Sequence, residues 1–176
     1  EPPNVNVVEP DTIIETPSKF LIVINYDKTN TTFPVKDMKA DLFTIENNKF
    51  SNIVKSKWEN ILWFLNNYNI WKKYEYLWFP DNNIEITEEE IMTYLNIVDE
   101  NEIKISQPSI YKSPTNKKYV HKVLLHNSQQ SKQLRKTHFV ENKLVCFKRT
   151  FVENELLPFL KENENHLLTG WGLDIW

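Results

Sequence analysis

Residues 74 to 86 read YEYLWFPDNNIEI, an aromatic run that meets a proline and then Asp81, Asn82 and Asn83. All three of those side chains carry oxygen. Asp81 and Asn83 stand two apart, a spacing that lets two oxygen ligands serve one ion. Hard cations such as Mg2+ or Mn2+ take oxygen ligands, and a nucleotide diphosphate needs its charge neutralised by such an ion. Asp and Asn are also ordinary turn formers, because they bond their own backbone. The residue types leave the turn and the site both standing.

A second constellation lies near the other end of the sequence. Both glycines of the chain fall in GWGLD, at Gly170 and Gly172, with Trp171 between them and Asp174 two residues on. A glycine ending a helix would account for the first. Two glycines around a large aromatic also suit a backbone that packs close to a ligand while presenting a carboxylate. Asp174 could then act as general base on a hydroxyl. Glu141, in HFVEN ahead of an apolar stretch, reads by itself as a solvated charge. The four histidines have no metal-ligand spacing, and Cys146 reads as a small core residue. KSKW, Lys55 to Trp58, could offer a cation to phosphate, but its place on a helix favours a solvated face. Trp58, Trp63, Trp71 and Trp78 could stack on sugar or base rings; their periodicity favours the core.

These groups need elements to hold them. FLIVINY, Phe20 to Tyr26, is a short apolar run rich in β-branched residues, as in a strand buried on both faces. It ends on Asn25 and Asp27. DLFTIE, from Asp41, is a second strand, and the aromatic run from Tyr74 to Phe79 a third. Helical spacing of apolar residues spans Ile53 to Asn67. Thr87 with Glu90 is a capping box opening a second helix. Glu102 to Ile110 alternates like a strand stopped by Pro108, and Lys118 to His126 reads as another. Ser128 to Arg135 is a polar loop, a strand centres on Leu144 to Phe147, and a helix follows from Glu153 despite Pro158. Alternating strands and helices predict an α/β fold. In such open sheets ligands bind at the carboxyl ends of the strands, where Asn25, Asp27 and Asp81 stand.

Size and charge narrow the classes. The chain has 176 residues, the usual size of one domain, and hydrophobic residues make up 40%. The first 18 residues hold four of the nine prolines and read as an extended arm, leaving 19–176 as the α/β domain. A net charge of −3 argues against nucleic acid as a partner. A single cysteine excludes an internal disulfide framework and fits a reducing compartment. No apolar run reaches the roughly 18 residues of a membrane span. The start at Glu1 and the missing signal-peptide pattern are read as a trimmed sequence. Cytoplasmic location is favoured, with a secretory lumen the alternative if an anchor was removed.

Taken together, YEYLWFPDNNIEI, IKISQPSI, THFVENKLVCFKR and GWGLD resemble one uncharacterised family in order and spacing. Its plant members are named lysine-ketoglutarate reductase trans-splicing-related proteins, and its members resemble GT-A glycosyltransferases. The likeness covers residues 55 to 176 and only loosely those before. It implies a GT-A-like nucleotide-diphospho-sugar fold, a mixed, mostly parallel sheet flanked by helices. It implies a glycosyltransferase that moves a sugar from a nucleotide-sugar donor to a glycan or protein acceptor, with Mn2+ or Mg2+. Asp81 and Asn83 would hold the metal and, with Asn25 and Asp27, the donor. Gln107, Trp171 and Gly172 would lie on the acceptor side, Glu141 in the pocket, and Asp174 would activate the acceptor hydroxyl. The family has an acid where this chain has Asn83, and it continues past GWG-x-D to a histidine segment, so the chain reads as shortened at its C-terminus. The alternative is a noncatalytic glycan- or protein-binding module on the same fold.

Overall fold

A computed structural model describes residues 18–26, 40–46, 56–81, 84, 86–109, 134–137 and 140–167. The arm at 1–17, the expected strand at 118–126 and most of the polar loop at 128–135 lie outside the described residues.

Three strands run parallel. β1 (Phe20–Tyr26) pairs with β2 (Ala40–Glu46) through seven residue pairs, and with β3 (Tyr76–Pro80) through three, from Phe20↔Tyr76 to Ile22↔Trp78. β5 (Leu144–Lys148) lies antiparallel to β3, and the short β4 (Ile105–Ser106) antiparallel to β5. The order is β2-β1-β3-β5-β4. This is the expected α/β class with an open mixed sheet. A mostly parallel sheet was expected, but the pairings divide evenly, because β5 alone runs against the rest.

Side-chain alternation sorts the strands onto two cores. Leu21, Val23, Leu77, Phe79, Val145 and Phe147 face helix α1 (Lys57–Asn67) and the C-terminal helical segment. Phe20, Ile22, Tyr76, Trp78, Leu144 and Cys146 face helix α2 (Glu88–Glu100). Helices therefore cover both faces, which is why these strands read as continuous apolar runs. Trp78 also ties β3 to β5, its Nε1–H donating to Leu144 O at 2.8 Å. Trp58, Trp71 and Trp78 are all buried, as core tryptophans should be.

The capping boxes are in place. Ser56 caps α1 with Glu59 answering it, and Thr87 caps α2 with Glu90. The first helix was expected from Ile53; the cap puts its start at Lys57, and Ile53 and Val54 lie outside the described residues.

The last helix begins at Arg149 rather than Glu153. It starts as α3 (Arg149–Phe151), widens to a π turn at Val152–Leu156, and returns as α4 (Leu157–Glu162). Pro158 accounts for the widening: it cannot donate, and its ring crowds the carbonyl one turn back.

β4 is also shorter than the expected Glu102 to Ile110. On one side Pro108 removes a donor. On the other, Glu102 sits at φ 48°, closing α2. There Glu102 N–H reaches Asp99 O and Ile103 N–H reaches Val98 O, a Schellman motif. Glycine is the usual residue there, and a side chain in that region costs about 1–2 kcal/mol.

Two predictions follow from this packing. Glu102→Gly should raise stability by roughly 0.5–1 kcal/mol in urea unfolding, since it relieves that strain against a smaller entropic loss. Cys146 is fully enclosed, and burial pushes its thiol well above the ordinary range. Iodoacetamide at pH 9 should modify it at least about tenfold more slowly in the native protein than in urea, read by mass spectrometry.

Candidate functional site

The chain leaves β1 for β2 on one side and later returns to β3 on the other side of β1. The carboxyl ends of β1 and β3 thus form a topological switch point, where open α/β sheets hold ligands. The two strands stop pairing after Ile22↔Trp78, so their last residues carry no shared ladder. Pro80 stands beyond that last pair, where its missing N–H costs nothing on the β1 side.

Asn25 lies near the carboxyl end of β1. Its Oδ1 is buried and has no hydrogen-bond partner among the described residues. Such an orphan costs about 1–3 kcal/mol and marks a position that calls for a donor from elsewhere.

Asp81 follows β3. Its backbone N–H donates to Lys143 O at 2.7 Å, which clips the strand end to the segment entering β5. Its carboxylate does not stand alone: Lys57 donates from Nζ to Asp81 Oδ1 at 2.8 Å and to Asn142 O at 2.6 Å. Lys57 is the first residue of α1, and α1 leads into β3 from the sheet's carboxyl edge. Burial pulls the Lys57 ammonium below the ordinary lysine range; the carboxylate of Asp81 and then Glu141 work against that. Both partners keep part of their surface, 18% for Lys57 and 26% for Asp81.

Glu141 is buried at 5% exposure, so the expected solvated charge is corrected. Its backbone N–H donates to Gln107 Oε1. Gln107 follows β4, which points the same way as β3, so it reaches this edge from beyond β5.

Four predicted residues, Asn25, Asp81, Gln107 and Glu141, are thus at one edge of the sheet. Asp27, Asn83, Trp171, Gly172 and Asp174 lie outside the described residues. Lys57 is the member the sequence reading missed. KSKW was singled out as a cation source, but a helix-face lysine looks solvated until its partners on β3 and β5 are known. Among the described residues no three His, Cys, Asp or Glu side chains gather as a metal cluster. Among them, too, no helix is long and apolar enough to cross a membrane.

A family model described as "Protein of unknown function (DUF707)" matches residues 12–156. No curated protein and no solved structure matches the chain.

The Lys57–Asp81 pair is testable by a double-mutant cycle. Lys57→Met and Asp81→Asn should each destabilise the protein, and the cycle should show a coupling of about 1–3 kcal/mol in urea unfolding. A pair on open surface would give well under 1 kcal/mol.

Proposed function

The chain belongs to the DUF707 family, whose description assigns no activity, and from the geometry of its sheet edge we propose that it is a glycosyltransferase-like protein binding a nucleotide-sugar donor at the switch point. The observation that carries this reading is the parted ends of β1 and β3. One end holds the Asn25 amide oxygen, which has no partner among the described residues, the other the Lys57–Asp81 pair. An acceptor oxygen and a cation at the same sheet edge suit a nucleoside diphosphate, which brings hydroxyl or ring N–H donors on one part and anionic oxygens on another. The GT-A likeness of the motifs points the same way.

In the proposed reaction an acceptor hydroxyl attacks C1 of the donor sugar. The bond from C1 to the diphosphate oxygen breaks, the nucleoside diphosphate leaves, and a glycosidic bond forms. Asp174 takes the hydroxyl proton, as the likeness to GT-A enzymes implies. Glu141 and Gln107, joined through the Glu141 N–H, hold the wall next to Asp81.

Mn2+ or Mg2+ at Asp81 and Asn83 was the expected cofactor. The oxygen donors have the right hardness for such an ion. The charge does not fit: Asp81 Oδ1 already accepts from the Lys57 ammonium at 2.8 Å. A divalent ion on that oxygen would face a fixed positive charge, so no step is routed through a metal here.

Incubation with a panel of nucleotide-sugars, followed by assay of released nucleoside diphosphate, should give turnover with at least one donor. Asp81→Ala should reduce it by about 100-fold or more. If no nucleotide-sugar is bound or turned over by folded protein carrying the full C-terminal sequence, the enzyme reading is lost. Thermal stabilisation by free glycan alone would then favour the binding module.

A further inference from the structure

We propose that Lys57 takes the place of a divalent cation in this site, so that diphosphate binding is independent of metal. This rests on the donor site proposed above and names the group that neutralises the donor.

An ammonium has three donors and no acceptor. Two of those on Lys57 are used, on Asp81 Oδ1 and Asn142 O. The third has no partner among the described residues, while the side chain keeps 18% of its surface open. The head group is therefore held by two protein oxygens, with its third N–H unused among the described residues.

Its position is fixed from two strands. Asp81 is anchored through its backbone N–H to Lys143 O, and Asn142 belongs to the same approach to β5. Lys57 itself is fixed by the capped start of α1, where Ser56 and Glu59 bond each other. A charge held this way costs little reorganisation when an anion arrives. Asp81 then serves as the counter-ion that orients the lysine through Oδ1, and a divalent ion on the same carboxylate would sit against the ammonium.

The surrounding charges allow an anion. Lys143 is close enough to push against Lys57 electrostatically, and Glu141 to pull on it. Among the described residues around Lys57, two cations stand against two carboxylates, so that group brings no net negative charge against a diphosphate. Direct lysine contact to phosphate oxygens is a short, charge-assisted bond.

The test measures binding of inorganic pyrophosphate, UDP and GDP by titration calorimetry, in EDTA and again in Mn2+. Wild-type protein, Lys57→Met and Lys57→Arg are compared, each checked for folding by circular dichroism. Pyrophosphate and at least one nucleotide should bind in EDTA, with affinity within about threefold of that in Mn2+. Lys57→Met should weaken binding by at least about tenfold, and Lys57→Arg should restore part of it. Binding by wild-type protein only when Mn2+ is present overturns the inference and leaves the donor site intact; this arm needs no variant to fold. Equal affinity for wild type and folded Lys57→Met also overturns it. No binding by any probe in either condition overturns both the inference and the donor site.

Discussion

Every residue of β3 is buried, and its neighbours β1 and β5 are covered on both faces by helices. That single constraint decides where polar chemistry can stand. A charged or amide group in the middle of such a strand would lose its water with no partner to replace it, at a cost of several kcal/mol. The strand interiors are accordingly aromatic and aliphatic. Polar side chains with something to do are confined to the strand ends and to the helix that feeds one of them.

The carboxyl edge meets this constraint in a specific way. Parallel pairing brings the ends of β1 and β3 side by side, and the reversed direction of β5 brings its start to the same edge. The Glu141–Lys143 segment meets Asp81 there only because β5 runs backwards. α1 enters from the same edge, which delivers Lys57 to Asp81. The opposite edge carries charges too, as where Lys148 meets Glu102, but those pairs are open to solvent and screened. The Lys57–Asp81 pair is half-enclosed, and enclosed charges interact more strongly. A close ion pair and a buried amide oxygen without a partner among the described residues both stand at this edge.

Much of this frame is legible in the residues alone. Phe20 to Tyr26 reads as a two-faced buried strand; it is a strand, buried from Phe20 to Ile24. Thr87 with Glu90 reads as a helix start, and both reciprocal bonds are formed. These features are local: the pattern of burial and the cap are written within a few residues of each other. The misreadings come from backbone events that composition does not mark. Glu102 adopts a left-handed conformation although it is not glycine, and the strand expected there shrinks to two residues. Pro158 is accommodated by widening the helix, and the helix begins four residues earlier than its pattern suggests.

By itself the sequence determined strands β1, β2, β3 and β5, the Thr87–Glu90 cap, the α/β class and the presence of Asp81 at the end of an aromatic strand. Those follow from periodicities of two and three-to-four residues, which any local stretch displays. Only the tertiary structure decided what Asp81 touches. Lys57 is 24 residues away in the chain and Asn142 another 61 beyond, so no spacing rule could join them. The direction of β5, and with it the burial of Glu141, was likewise settled by pairing across the sheet. Contacts of that range depend on where whole elements dock, and docking is driven by the summed apolar area of two faces rather than by any short motif.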